Sequence, residues 1–99
     1  MVQKDITDVV LEKNPIIIDI RSNYYYSLGH IRGAISVPYY NLLNNYSHYL
    51  SKGNKYYLYC DIGEQSLEIA IRLRKFGYNT YSIKGGYQEY LRFISLWWG

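Results

Sequence analysis

The chain has 99 residues, 48% hydrophobic and 19% charged, which sets the scale at one domain with one core. That apolar content excludes disorder, and 8 Gly with 2 Pro exclude a low-complexity chain. The single cysteine excludes an internal disulfide framework and any paired-cysteine zinc or redox site, and a net charge of +3 implies no partner by itself.

Taken in chain order, Thr7 before Asp8 and Val9-Val10-Leu11 reads as an N-cap and a short helix. Asn14-Pro15 stops it, because a residue before proline is pushed out of the helical region. Ile16 to Ile20 is a continuous rather than alternating apolar run, interrupted only by Asp19, as suits a strand covered on both faces. Ser22 caps a short helix that ends at Gly29, and Ile35 to Pro38 is a second strand at an end or edge of the sheet. Residues 39 to 50 space Leu42, Leu43, Tyr46, Tyr49 and Leu50 in threes and fours, which predicts one helix. After a polar turn, Tyr56 to Cys60 reads as a third strand. Ser66 to Phe76 predicts a helix with Ile69, Ala70, Leu73 and Phe76 on one face, a Glu68–Arg72 pair on the other, and Gly77 as its C-terminal stop. Thr80 to Ile83 is a fourth strand, Gly85-Gly86 a turn, and Tyr87 to Phe93 a last helix. Strands alternating with helices predict an α/β fold over residues 1–99, a mostly parallel central sheet with helices on both faces.

Ligands of such sheets bind outside the carboxyl ends of the strands, in the loops leading to helices. One of these loops carries a nucleophile. Cys60 ends a strand, residues 61 to 65 form a tight connection through Gly63, and Ser66 opens a helix. An arc of this kind turns its backbone N–H groups inward as an anion nest, and the helix N-terminus adds partial positive charge. Both favour thiolate, the nucleophilic form.

Further residues extend the pattern: Ile18-Asp19-Ile20-Arg21, then Gly29 to Ala34 leading to Val37-Pro38, Tyr59-Cys60 with Gly63 and Ser66, Phe76-Gly77-Tyr78, and Lys84-Gly85-Gly86-Tyr87. In this order and spacing, from about Ile6 to Tyr90, the chain resembles a single-domain rhodanese, the thiosulfate and persulfide sulfurtransferase family. The resemblance implies that Cys60 takes a sulfane sulfur from a small donor (thiosulfate or a persulfide), holds it as a persulfide, and passes it to a thiol or cyanide-like acceptor. It also implies that the backbone of Asp61, Ile62, Gly63, Glu64, Gln65 and Ser66 binds the substrate. A protein donor or acceptor fits the same chemistry, and no metal or organic cofactor is implied. Asp19, Arg21 and His30 match recurrent family positions; an ion pair from Arg21 and an orienting hydrogen bond from His30 are expected rather than catalysis.

The loop departs from the family at informative places. Active rhodaneses usually carry arginine after the cysteine and arginine, lysine or threonine at the loop's end, where this chain has Asp61 and Gln65, with Glu64 between. Two carboxylates near a thiolate disfavour it and repel thiosulfate, unless they point into solvent and are screened. Weak thiosulfate activity follows. A related phosphatase family places arginine six residues after its cysteine; here Ser66 stands there, so the bidentate phosphate clamp is missing.

The competing reading is a catalytically poor rhodanese-like domain that binds or regulates a partner; Trp97-Trp98 as an exposed apolar tip would mark such an interface, although covering the core or a dimer seam is the role expected of them. A redox-sensing thiol ranks behind both, since the chain has no resolving cysteine. The 14 tyrosines fill positions that take any large amphipathic side chain, and Arg72, Arg74 and Lys75 belong to a helix's last turn. No nucleic-acid partner is therefore expected. With no apolar stretch near the roughly 20 residues of a membrane span, and no signal-peptide build at Met1 to Asp5, no membrane partner and a cytoplasmic location are expected.

Overall fold

Five short strands pair side by side, all parallel, in the computed structural model, which describes residues 1–98; Gly99, the end of the expected domain, lies outside the described residues. The strands are β1 (Gln3–Lys4), β2 (Ile16–Asp19), β3 (Ile35–Ser36), β4 (Lys55–Tyr59) and β5 (Asn79–Ile83), in the spatial order β1-β5-β4-β2-β3. The helices between them are α1 (Ile6–Leu11), α2 (Asn23–Leu28), α3 (Tyr39–Asn44), α4 (Tyr46–Tyr49), α5 (Glu64–Lys75) and α6 (Gly86–Trp98). The predicted α/β class holds, and the sheet is covered on both sides.

Period-two alternation along β2 and β4 divides the core into two layers. Ile18, Ile20, Tyr56, Leu58 and Cys60 face one side, where they meet Leu42 of α3, Leu50, and Ile69, Ala70 and Leu73 of α5. Ile17, Tyr57 and Tyr59 face the other, with Ile6 and Val9 of α1, Ile31, Ala34, and Tyr87, Tyr90 and Phe93 of α6. The continuous isoleucine run of β2 is thus explained: both of its faces are inside. Cys60 and Tyr59, adjacent in sequence, consequently lie in opposite layers.

Several boundaries differ from the sequence expectation. Helix α1 starts at Ile6 after Asp5, so Thr7 lies inside it rather than capping it. Residues 39 to 50 form two helices, because Asn45 leaves helical geometry (φ −139°, ψ 37°) while its N–H still closes α3 on Asn41. Asparagine competes for backbone hydrogen bonds and weakens a helix, so the apolar spacing alone did not keep the run intact. Helix α5 begins at Glu64, which places Glu64 and Gln65 in its first turn instead of in the loop. Phe76 is half exposed and stacks on Tyr46 instead of joining the buried face. Strand β1 has no apolar pattern to announce it; it exists because Val2 and Lys4 carbonyls accept the Ser82 and Lys84 N–H groups at the edge of β5.

The turn after β5 locks two loops together. Gly85 and Gly86 both have positive φ, and a Cβ on Gly86 would sit 2.4 Å from the Cys60 carbonyl oxygen. Gly33 also has positive φ (84°), but a Cβ there meets nothing within 4 Å. The strain of a left-handed backbone is about 1–2 kcal/mol for either alanine. Gly86→Ala must in addition push the Cys60 loop away. Urea unfolding is therefore expected to show a markedly larger loss of stability for Gly86→Ala than for Gly33→Ala.

Candidate active site

Cys60 follows directly on β4 and is only 4% exposed. Its Sγ accepts the backbone N–H of Gly63 at 3.1 Å and of Ser66 at 3.4 Å, and lies 3.5 Å from Ser66 Oγ. The local sequence requires this. A helix begins with several N–H groups that lack intrahelical partners, and a Ser, Thr, Asp or Asn side chain usually accepts one. The residue at that position in α5 is Gly63, in the left-handed conformation (φ 99°) and without a capping side chain. The sulfur of Cys60 takes the capping role, and Gly63 supplies the tight bend that lets it.

The rest of the loop is held from behind. N–H groups of Tyr87 and Gln88, in the first turn of α6, donate to the Cys60 and Asp61 carbonyls at 2.9 and 3.1 Å. With those carbonyls drawn toward α6, the N–H groups of Ile62, Glu64 and Gln65 are left without a protein acceptor among the described residues. Ser66 is fully buried, its Oγ 2.7 Å from Ser82 Oγ and 3.3 Å from the Gly63 carbonyl. The glycine pair read from sequence as a turn is thus also the contact that shapes the cysteine loop.

Of the loop residues whose backbone is expected at the site, Asp61, Ile62, Glu64 and Gln65 are exposed. Glu64 lines neither cleft beside the loop and its charge is screened by solvent, whereas Asp61 stands on a cleft wall. Asp61 accepts a hydrogen bond from Gln88 Nε2 at 3.1 Å and, with Gln65, walls a cleft of about 370 Å³ whose other lining is Arg21, Ser22 and Tyr25. A second cleft shares Arg21, Tyr25 and Asp61 and adds Leu28, Gly29, Tyr87 and Gln88. The loop itself has no cation, as its sequence shows. Arg21, from the loop after β2, brings one to the same place.

Arg21 is held there by Asp19. The Asp19 carboxylate is fully buried and accepts the Arg21 backbone N–H at 2.9 Å, the Arg21 Nε and Nη2 groups (closest 2.8 Å) and the Tyr59 hydroxyl at 2.6 Å. Arg21 Nη2 also donates to the Gly29 carbonyl, and its guanidinium lies 4.1 Å from the centre of the Tyr87 ring. Burial alone would lower the Arg21 pKa; the hydrogen bond and charge of Asp19 outweigh it and hold the guanidinium above its ordinary value. The expected ion pair is therefore present. His30 takes an orienting role too, stacked on Tyr26 with Nδ1 2.8 Å from the Tyr26 carbonyl.

Sequence reasoning missed Tyr25, Gln88 and the cleft-lining place of Arg21. The signal for Arg21 was available, since it follows β2 at the same carboxyl edge as Cys60. Nothing local marked Tyr25 or Gln88. Among the described residues, no three His, Cys, Asp or Glu side chains are grouped to hold a metal ion, and no helix is long and apolar enough to cross a membrane.

A parallel five-stranded sheet with a cysteine at a strand end, wrapped by a glycine loop and capped by a helix, defines a fold class shared with known proteins. Residues 4–92 match the family model for the rhodanese-like domain, and the chain belongs to that family. It is 30% identical over 97 residues to a tRNA uridine(34) hydroxylase of Buchnera aphidicola, covering 90% of this chain and 30% of that protein. It is 35% identical over 71 residues to a tRNA sulfurtransferase of Thermoplasma acidophilum, covering 72% of this chain and 14% of that protein. The chain thus spans less than a third of either relative. A rhodanese-related protein of Thermoplasma volcanium superposes with a TM-score of 0.85 at 22% identity, covering 93% of this chain and 92% of that one, and shares the fold.

The buried network carries its own pH dependence. Burial first, and then the hydrogen bond to Asp19, push the Tyr59 phenol well above the ordinary tyrosine range. Above about pH 10 the unfolded chain loses this proton and the folded chain keeps it, so stability falls as pH rises, by up to about 1.4 kcal/mol per pH unit. Tyr59→Phe is expected to remove this part of the slope between about pH 9 and 11, and to lower stability at neutral pH by about 1–3 kcal/mol by orphaning the Ile31 N–H. Urea unfolding of both proteins across that range measures each effect.

Proposed function

We propose that this chain is one rhodanese-like domain that works as a sulfurtransferase in the cytoplasm, carrying a sulfane sulfur as a persulfide on Cys60. The observation that carries this reading is the Cys60 sulfur seated at the N-terminus of α5, accepting the Gly63 and Ser66 N–H groups. The same donors and helix end that stabilise a thiolate stabilise the anionic persulfide, as an oxyanion hole stabilises developing charge. The N–H groups of Ile62, Glu64 and Gln65 are the further donors for the outer sulfur.

In the loading step the Cys60 thiolate attacks the outer sulfur of the donor. The donor's S–S bond breaks with its electron pair leaving on sulfite, when the donor is thiosulfate, or on a thiolate, when it is a persulfide. In the unloading step an acceptor thiolate or cyanide attacks the outer sulfur of the Cys60 persulfide and regenerates the Cys60 thiolate. Neither step requires a metal or organic cofactor. Thiosulfate is a poor donor in this reading, because Asp61 stands where active rhodaneses usually carry arginine and repels a dianion. A protein can serve as sulfur donor or acceptor. Two relatives are named for tRNA chemistry, and tRNA modification is the setting we infer for the transferred sulfur.

Intact-mass spectrometry after incubation with thiosulfate, and separately with a persulfide, tests the reading on wild type and Cys60→Ser. One added sulfur on the wild type alone, released as thiocyanate by cyanide, is the expected result. No adduct from either donor on folded, reduced protein overturns it and leaves the alternative, a domain that docks a partner without turnover. Asp61→Arg is expected to raise kcat/KM for thiosulfate about tenfold, equivalent to about 1.4 kcal/mol of transition-state stabilisation. No gain would refute the electrostatic account of the loop.

A further inference from the structure

The cleft beside the cysteine loop has an unusual charge arrangement for a thiosulfate site. Arg21 and Asp61 are the charged residues lining both of its lobes, and Tyr25 is the third residue common to the two. The charge of Arg21 is matched from behind by Asp19, which is fully buried. Asp61 is therefore the unmatched charge on the wall, and it is negative.

The unused hydrogen-bonding groups are equally specific. Arg21 donates through Nε and Nη2 to Asp19 and Gly29, while its Nη1 makes no bond to the protein among the described residues. Asp61 accepts from Gln88 through Oδ1, which leaves Oδ2 open. Two residues that line the same cleft of about 370 Å³, the size of a small-molecule site, thus keep one guanidinium nitrogen and one carboxylate oxygen without a protein partner among the described residues. A ligand that answers both carries a carboxylate and an ammonium on one short skeleton.

Resting on the persulfide reading above, we propose that the cleft selects a sulfur donor of the α-amino-acid persulfide class, its carboxylate on Arg21 Nη1 and its ammonium on Asp61 Oδ2. Cysteine persulfide is the simplest member. The Cys60 thiolate attacks its outer sulfur, the S–S bond breaks, and the electron pair leaves with cysteine thiolate, which takes up a proton. Cys60 keeps the outer sulfur, so no oxidant or reductant is consumed. In this assignment Asp61 is the residue that gives the site its specificity, rather than a lesion in a thiosulfate enzyme.

The test compares the rate of sulfur loading on Cys60, read by intact mass on the full chain, from three persulfides at equal concentration. Cysteine persulfide carries both groups, 3-mercaptopropionate persulfide lacks the ammonium, and cysteamine persulfide lacks the carboxylate. Wild type is expected to load from cysteine persulfide about fivefold faster than from either of the others, the upper range for one partly exposed ion pair. In Asp61→Asn, which keeps Oδ1 for Gln88, the advantage over 3-mercaptopropionate persulfide is expected to fall to about one, while the advantage over cysteamine persulfide persists. Equal rates from all three donors on wild type overturn the assignment, as does an Asp61→Asn protein that keeps its preference for the ammonium-bearing donor. Absence of loading from every donor overturns the persulfide reading itself.

Discussion

A carboxylate with no surface in water must have its charge matched and its lone pairs answered, or folding costs several kcal/mol. Asp19 is that carboxylate, and much of the site follows from how it is satisfied. The parallel register sets Asp19 opposite Tyr59 across β2 and β4, so the phenol reaches the carboxylate at 2.6 Å. The chain then bends just enough for Arg21 to return to Asp19 with both its backbone N–H and its guanidinium. Tyr59 in turn accepts the Ile31 N–H and pins the segment leading to β3. One buried charge thus joins two strands, one loop and the cation beside the cysteine.

The strand that supplies Tyr59 to one layer supplies Cys60 to the other. Because side chains alternate across a sheet, the structural phenol and the chemical thiol can be consecutive residues without competing for space. What brings N–H donors to the Cys60 sulfur is the arrangement of the backbone around it. The first turn of α6 draws the Cys60 and Asp61 carbonyls away, and the left-handed Gly63 swings the start of α5 back over the sulfur. The charges of α5 support the same end: Arg72, Arg74 and Lys75 occupy its last turn, which complements the helix dipole whose positive end faces the thiol.

The tyrosines illustrate how composition and site separate. Tyr56, Tyr57, Tyr59 and Tyr78 are core residues, and Tyr59, Tyr87 and Tyr90 form a stacked series under the Arg21 loop. These support the reading of tyrosine as a general-purpose large side chain. Tyr25 is different, since it is exposed and lines both lobes of the cleft. Trp97 at the end of α6 is exposed and lies close to Phe93, so it does not cover the core, one of the two roles expected from the sequence.

The sequence by itself determined the α/β class, the three strands read at 16–20, 56–60 and 80–83, the stop at Gly77, and the place of Cys60 at a strand end ahead of a glycine loop. All of these rest on short-range physics: β-branched runs, turn residues and helical spacing act over a few residues and are legible one window at a time. Element ends were less legible. The break at Asn45 and the start of α5 at Glu64 depend on hydrogen bonds made to groups outside each window. Only the tertiary structure decided that β1 exists, that Gly86 lies where a Cβ would collide with the Cys60 carbonyl, and that Arg21, Tyr25 and Asp61 share one cleft. Those facts are contacts between segments separated by tens of residues. Their energy comes from register and packing across the sheet, for which no local pattern in the chain is required and none is present.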